Sequence, residues 1–146
     1  MTERKEVAVA WRSDVFPGDV RVVNREEPKI IEPSDAIITL SATCICGSDL
    51  WPYRGIEPAD HQVMGHEYVG VVEEIGSDVK TMKAGDFVVG SFVISDNTCE
   101  ICRSGYQSKC VHASFVSQIG TQAERARIPS MPTALWSSRQ ATPLPN

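Results

Sequence analysis

The chain has no segment that would place it in a membrane or direct it out of the cell. None of its apolar runs reaches the roughly 18 residues that a membrane-spanning helix needs. The N-terminal residues 1–6 are mostly charged and lack the apolar core of a signal peptide. We therefore expect a cytoplasmic protein without a membrane partner.

Clusters of positive charge are missing as well. Lys and Arg number 14 against 19 Asp and Glu, which gives a formal net charge of −5, and the basic residues are scattered. A nucleic-acid-binding surface requires a clustered basic face, so no nucleic-acid partner is expected. The sequence also contains no Gly-x-Gly-x-x-Gly segment, and therefore lacks the phosphate-cradling turn of a dinucleotide-binding fold.

What is present suffices for one folded domain. Hydrophobic residues make up 42% of the 146, which predicts a single core. Segments rich in β-forming residues alternate with Gly, Pro and Asp turn signals, which predicts strands over residues 6–11, 20–23, 35–46, 68–75, 87–89 and 123–128. A short helix is expected over 50–53, and a long loop without apolar periodicity over 95–109. The predicted fold class is mainly β: a small, partly open β-barrel with few short helices.

One group of metal-binding residue types consists of Cys46 and, twenty residues on, His66 and Glu67. Cys46 and His66 are each expected at a strand end, so a rigid β scaffold can hold both on one side of a cavity. Thiolate and imidazole are zinc ligands, and a catalytic zinc needs only three protein ligands and an open position. Glu67 is either a third ligand or a displaceable one.

The residues next to Cys46 suggest the chemistry. A zinc ion with an open position lowers the pKa of a bound water or alcohol and polarises a carbonyl oxygen. Ser48 offers a hydroxyl to relay the proton that an alcohol loses, and Asp49 could accept the second ring N–H of His66 and fix its tautomer. Spacing alone leaves another interpretation open, in which Ser48 and Asp49 are N-cap residues and the other side chains have structural roles.

A second group consists of Cys99-x-x-Cys102, with Cys110 eight positions further on and Asp96 three residues ahead. Four ligand-type residues close together describe a closed, structural zinc site, and bound metal would fix the long loop. Free thiols or a redox pair are the alternatives, although no thioredoxin-like pattern surrounds them. Asn97 or a water could replace Asp96 as the fourth ligand.

The remaining residues of these types are assigned no ligand role. Cys44 is interpreted as a small buried residue on a strand. His61 and His112 are interpreted as surface residues. Trp51 and Tyr53 either line a substrate pocket or serve in packing and at the surface.

The motifs and their order resemble those of zinc-containing medium-chain alcohol dehydrogenases. The resemblance covers about residues 5–130. It rests on Cys46-Gly47-Ser48-Asp49-Leu50, Gly65-His66-Glu67-x-x-Gly70-x-Val72, Gly85-Asp86-x-Val88 and the Cys99, Cys102 and Cys110 spacing.

The resemblance implies a GroES-like catalytic domain over residues 1–130 with a structural-zinc lobe over 96–110. It implies a catalytic zinc at Cys46 and His66, with Glu67 either a further ligand or displaced from the metal, and with Ser48 in proton relay. The reaction implied is reversible hydride transfer between a small-molecule alcohol and NAD(P), which gives an aldehyde or ketone.

Two departures from the family pattern bear on function. Asp96 stands where the family's structural site usually has a cysteine. Family members also continue into a dinucleotide-binding domain that carries the third catalytic-zinc ligand, and this chain stops before it. The isolated chain is therefore expected to bind zinc without turnover, and its uncovered apolar surface would favour a homo-oligomer. The alternative is a non-enzymatic zinc-binding β-barrel module for protein assembly.

The last residues, 131–146, differ from the family pattern, and 131–141 fit neither a strand nor a helix. Back-translation in a shifted frame allows a segment of the Ala-Asp-Gly-Thr-Leu type that the family carries here. Our hypothesis is that this tail is out of frame and disordered, so that the chain is a frameshifted or truncated product. The coding DNA tests it, because stop codons in its other frames would contradict the hypothesis.

Overall fold

The structure, a computed structural model, describes residues 3–9, 18, 20–57, 62–95, 97–115, 119–129 and 135–137. Within these ranges the chain forms short strands joined by turns and two single-turn helices. The strands are β1 (Glu3–Val9), β2 (Val20–Glu26), β3 (Ala36–Thr43), β4 (Gln62–Val63), β5 (Tyr68–Ile75), β6 (Phe87–Gly90), β7 (Val93–Ile94), β8 (Ser114–Phe115), β9 (Arg125–Ile128) and β10 (Leu135–Ser137). The helices are α1 (Leu50–Tyr53) and α2 (Glu100–Arg103).

The strands form three antiparallel sheets. The main sheet has the order β10-β6-β5-β3-β9, and a second sheet has the order β2-β1-β4. The third is the two-stranded pair of β7 and β8. The prediction of a mainly β fold with few short helices is confirmed, and no helix among the described residues is long and apolar enough to cross a membrane.

The core lies on one face of the main sheet. Successive side chains of a strand point to opposite faces, and in β5 the buried Tyr68, Gly70 and Val72 alternate with the more exposed Val69 and Val71. Tyr68 and Val72 pack with apolar residues of β3, β6 and β9 and of the turn after β5: Ala36, Ile38, Val79, Met82, Val88, Ala126 and Ile128. The main sheet therefore carries the core among the described residues.

Several predicted elements agree with the structure, and two do not. The helix over 50–53 and the strand over 68–75 are confirmed with their predicted bounds. The predicted strand over 35–46 is too long, because β3 ends at Thr43 and Cys46 lies three residues beyond it. The predicted loop over 95–109 contains α2, at whose N-terminus the Cys99 sulfur accepts a hydrogen bond from the Cys102 amide.

The C-terminal prediction also needs correction. Residues 131–141 were expected to fit neither strand nor helix, but Leu135–Ser137 forms β10. β10 pairs with β6 in the register Leu135↔Gly90. Without β10, β6 would be the edge strand of the main sheet, and its unpaired backbone groups would be open to a further strand. The rest of 131–146 lies outside the described residues, so the hypothesis of a disordered tail remains a prediction.

Candidate metal centres

The main sheet brings Cys46, His66 and Glu67 together. One ligand atom from each lies within 4.8 Å of the others. β3 and β5 are antiparallel and pair Thr43 with Tyr68, so the end of one strand lies beside the start of the other. Cys46 comes just after β3, and His66 and Glu67 come just before β5, which explains the meeting of residues that are twenty positions apart.

The backbone around His66 is fixed from a third side. The carbonyls of Met64 and Gly65 accept hydrogen bonds from the amides of Gln122 and Thr121, at 3.0 and 3.3 Å. Gly65 has φ +98°, and a Cβ there would lie 2.6 Å from the Gln122 nitrogen. Only glycine suits this conformation and this close approach, so Gly65 sets the path of the chain into His66.

His66 is 5% exposed and lies between two polar side chains. The Ser48 hydroxyl is 3.3 Å from Nε2, and the Asp49 carboxylate is 3.4 Å from Nδ1. The second approach lacks the alignment of a hydrogen bond, and Nδ1 is buried without a hydrogen-bond partner. Asp49 also accepts a hydrogen bond from the Cys46 amide at 2.8 Å, so one buried carboxylate adjoins both ligand-type residues. Its predicted role in fixing the tautomer stays a prediction.

The environment of Cys46 suits a metal-binding thiolate. Hydrogen bonds from the Ser48 hydroxyl and amide, and then from the His66 ring, lower the pKa of the Cys46 thiol, against the opposing effects of burial and of Glu67. The thiolate is the form that binds metals. The three donor types and their mutual distances therefore fit a zinc ion.

The second cluster lies in the segment between β7 and β8, where the structural-zinc lobe was predicted; from here on the lobe means residues 96–113, of which the structure describes 97–113. The sulfurs of Cys99, Cys102 and Cys110 lie within 4.8 Å of one another, and those of Cys99 and Cys102 are 3.4 Å apart. Amides of Cys102 and Val111 lower the pKa of Cys99 to about 7, whereas burial and the neighbouring thiols raise the pKa of Cys102 to about 12. Asp96 lies outside the described residues, so its role as fourth ligand stays a prediction.

The interpretation of Cys44 is wrong. Its side chain is exposed, because β3 ends one residue earlier and no strand holds it against the core. The Cys44 carbonyl accepts a hydrogen bond from the side-chain amide of Gln122 at 2.7 Å. His112 is exposed, as predicted, and His61 lies outside the described residues.

Sequence reasoning missed a cavity of about 400 Å³ that adjoins Glu67. Its walls include Cys44, Val89 and Phe92, but neither Cys46 nor His66 lines it. Phe92 presents its ring to His66, with centroids 5.9 Å apart. Neither Trp51 nor Tyr53 lines this cavity. Phe92 lies in the short connection between β6 and β7, and nothing in the sequence around it indicates a contact with His66.

An antiparallel main sheet with a Cys–His–Glu cluster at its strand ends, and a lobe with three clustered cysteines, is the architecture expected of a zinc-type dehydrogenase domain. The model of the alcohol dehydrogenase GroES-like domain family matches residues 32–136, and the chain belongs to this family. The resemblance stated from the motifs is thereby confirmed.

Individual relatives agree with this assignment. The chain is 42% identical over 133 residues to zinc-type alcohol dehydrogenase B of Aspergillus flavus, an alignment that covers 88% of this chain and 30% of the relative. The solved structure of the alcohol dehydrogenase TADH from Thermus sp. ATN1 has a TM-score of 0.74 at 32% identity over 91% of this chain and 39% of that one. A zinc-binding dehydrogenase from Sinorhizobium meliloti, solved with NADP, has a TM-score of 0.70 at 26% identity over 94% of this chain and 39% of that one. The chain thus spans between three tenths and two fifths of the length of these relatives.

Proposed function

We propose that this chain is the catalytic domain of a zinc-dependent alcohol dehydrogenase, which oxidises an alcohol reversibly to an aldehyde or ketone with NAD(P). The observation that carries the proposal is the meeting of Cys46, His66 and Glu67 within 4.8 Å at the ends of β3 and β5. Membership of a family with zinc-type alcohol dehydrogenases supports it.

The Cys46 thiolate and the His66 imidazole would hold the zinc, with Glu67 as a third or displaceable ligand. Zinc bound there would supply Lewis acidity. Ser48 lies next to His66, and its hydroxyl would relay the proton that the substrate alcohol loses, accepting that proton while it passes its own on to water. Asp49 would orient the imidazole from its other side. The cavity beside Glu67 would receive the carbon skeleton of the substrate, since Val89 and Phe92 give it apolar walls.

The lobe would hold a structural zinc through Cys99, Cys102, Cys110 and Asp96. Apart from the two buried cysteines, the lobe has little buried surface: Ile101, Tyr106 and Val111 are all exposed. A bound metal would replace the missing core as the source of its stability.

The nicotinamide cofactor is proposed for the whole protein, in which hydride transfer requires the nicotinamide to lie against the reacting carbon. This sequence contains no Gly-x-Gly-x-x-Gly turn. We therefore propose that the chain by itself binds zinc through its own residues but does not turn over. We also propose a cytoplasmic location, in keeping with the charged N-terminal residues 1–6. The domain bounds of 1–130 and the out-of-frame origin of residues 131–146 are kept as proposals; β10 and the family match to residue 136 overlap the first residues of that tail.

Metal analysis of the purified chain tests the proposal. We expect two zinc ions per chain, of which one exchanges readily because its site has an open position. Cys46→Ala should remove that exchangeable ion, whereas Cys44→Ala, two residues away and exposed, should leave both in place. A single tightly held zinc that survives Cys46→Ala would favour the non-enzymatic assembly module instead. Turnover of an alcohol with NAD(P) by this chain alone would contradict its proposed inactivity.

A further inference from the structure

Three aromatic rings lead from the lobe to the candidate catalytic centre. The ring of Phe92 meets His66 at a centroid distance of 5.9 Å and an angle of 73°, an edge-to-face arrangement. On its other side Phe92 stacks with Phe115, at 6.2 Å and 27°. Both geometries fall in the range where aromatic pairs attract each other. A continuous set of ring contacts therefore joins Phe115 to a candidate metal ligand.

Phe115 is tied to the lobe. It closes β8, and its backbone pairs with Val93 of β7, the residue directly after Phe92. β8 begins four positions after Cys110, and the intervening Ala113 amide donates to the Cys110 carbonyl at 3.2 Å. The placement of β8, and of Phe115 with it, therefore follows the placement of Cys110.

The His66 end of this set is sensitive to packing. The imidazole is held by the Ser48 contact at Nε2, by a hydrogen bond to Cys46 and by the Asp49 carboxylate 3.4 Å from Nδ1. Nδ1 itself has no hydrogen-bond partner, so the packing of Phe92 is a further restraint on the plane of the ring. Phe92 is 44% exposed and Phe115 is 73% exposed, so much of each residue contacts solvent and not other protein atoms. Their mutual stacking is therefore an important restraint on Phe92, and Phe92 is a restraint on His66.

We propose that Phe115 and Phe92 are positioning residues that couple the two cysteine clusters. A closed Cys99–Cys102–Cys110 cluster holds Phe115, Phe115 holds Phe92, and Phe92 holds the imidazole of His66 in the orientation that suits a metal. The affinity at Cys46 and His66 then depends on the state of the lobe, and by linkage the lobe depends equally on that site. The effect on metal affinity rests on the zinc site of the proposed function, whereas the effect on the His66 ring does not.

The first experiment follows His66 directly. The full chain is labelled with ¹⁵N-histidine and titrated with zinc, and the His66 signals are assigned among the three histidines with His66→Gln. Phe115→Ala should shift the His66 ring signals and weaken zinc binding there by about three- to tenfold, the range of one aromatic contact. Tyr106→Ala, which removes an exposed ring of the same lobe, should do neither, and Phe115→Tyr should behave as the unsubstituted chain.

The second experiment tests coupling through a double-mutant cycle. Cys110→Ser opens the lobe cluster and should weaken zinc binding at His66 by the same factor, and adding Phe115→Ala should cause no further loss. Additive losses, or His66 signals that ignore Phe115→Ala, would overturn the proposal. Circular dichroism checks that each variant is folded, and Phe115→Leu serves if the alanine variant is not.

The same data separate this inference from the proposed function. If zinc does not change the His66 ring signals of the unsubstituted chain, the proposed zinc site is refuted. The ring coupling is still decided in that case, because Phe115→Ala and Cys110→Ser either shift the His66 signals of the zinc-free protein or do not.

Discussion

The Cys46–His66–Glu67 cluster and the Cys99–Cys102–Cys110 cluster use similar side chains but are built in different ways. The first joins residues twenty positions apart, and β3, β5 and the Thr121–Gln122 backbone hold it in place. The second lies within twelve consecutive residues, outside the main sheet. The first cluster therefore requires the folded sheet, whereas the second requires only a local path of the chain. This difference also suits an exchangeable ion at the first site and a permanent one at the second.

The largest contrast should appear when metal is lost from the lobe. Cys102→Ser removes the most buried sulfur there, and we expect amide hydrogen exchange in residues 99–110 to accelerate by about 100-fold or more, because the lobe has little other buried surface. Exchange in β3 and β5 should change little. Hydrogen exchange read by mass spectrometry measures both, with Cys46→Ser as the control that should change exchange in the lobe by no more than about tenfold, the limit of the coupling proposed between the two clusters. If the lobe amides stay protected in Cys102→Ser, the lobe has another source of order.

Two glycines, one beside each cluster, allow the cost of adding a side chain to the backbone to be compared. Gly65 and Gly105 both have positive φ, but a Cβ on Gly65 would lie 2.6 Å from backbone, whereas nothing lies within 4 Å of one on Gly105. Gly65→Ala should therefore lower the free energy of unfolding by about 3 kcal/mol, from strain and steric overlap together. Gly105→Ala should cost about 1 kcal/mol, from the backbone conformation alone.

Urea denaturation of both variants measures the two losses, and zinc content shows whether the first also disturbs His66. Equal losses would mean that the Gln122 backbone yields easily, and that the first centre is less rigidly held than the contacts of the main sheet indicate.

The same contrast explains which features the sequence could predict. The ligand-type residues were identifiable because thiol and imidazole residues stood next to predictable strands and turns, and the bounds of β5 followed from its run of β-forming residues. Cys44 was misplaced because a strand end cannot be located within a few residues, and one position decides between buried and exposed. β7 and β8 have two residues each, too few for a periodic pattern.

The contacts between Phe92, Phe115 and His66 were beyond sequence reasoning for a physical reason. They depend on the pairing of β7 with β8 across the whole lobe, and no local preference specifies it. The strand β10 was missed for a similar reason, since it exists through its pairing with the edge of β6. Residue types thus sufficed to predict the candidate metal ligands, whereas the residues that pack around them depend on tertiary contacts.

A smaller effect should follow from the buried carboxylate that fastens the main sheet. Asp35 is fully buried and accepts hydrogen bonds from Arg127 at 2.6 and 3.2 Å and from the amides of Ile31 and Glu32. Burial opposes its ionisation, but the Arg127 and amide hydrogen bonds outweigh burial and lower the pKa of Asp35. Asp35→Asn should lower the free energy of unfolding by about 2 kcal/mol near neutral pH, less than for a fully buried pair because Arg127 is partly exposed.

The pH dependence of that loss has a definite sign. Because the native pKa is below the unfolded value of about 3.9, the carboxylate stabilises the fold above that pH, and this stabilisation is lost as the pH falls through the native pKa. The difference between Asp35→Asn and the unsubstituted chain, measured by urea denaturation, should therefore narrow below about pH 4. A difference that widens in acid would contradict this account.

The smallest effect should come from the other arginine of β9. Arg125 forms ion pairs with Glu73 at 2.9 Å and with Glu27 at 3.3 Å, and the side chains of Arg125 and Glu73 are both about 40% exposed. Exposed ion pairs contribute little, because water screens the charges and the long side chains lose freedom, so Arg125→Ala should cost less than about 1 kcal/mol. Urea denaturation at low and at about 0.5 M salt should show this small loss shrinking with salt, while zinc binding stays unchanged. A loss as large as that of Asp35→Asn would mean that the surface network, and not the buried carboxylate, fastens the sheet that supports Cys46 and His66.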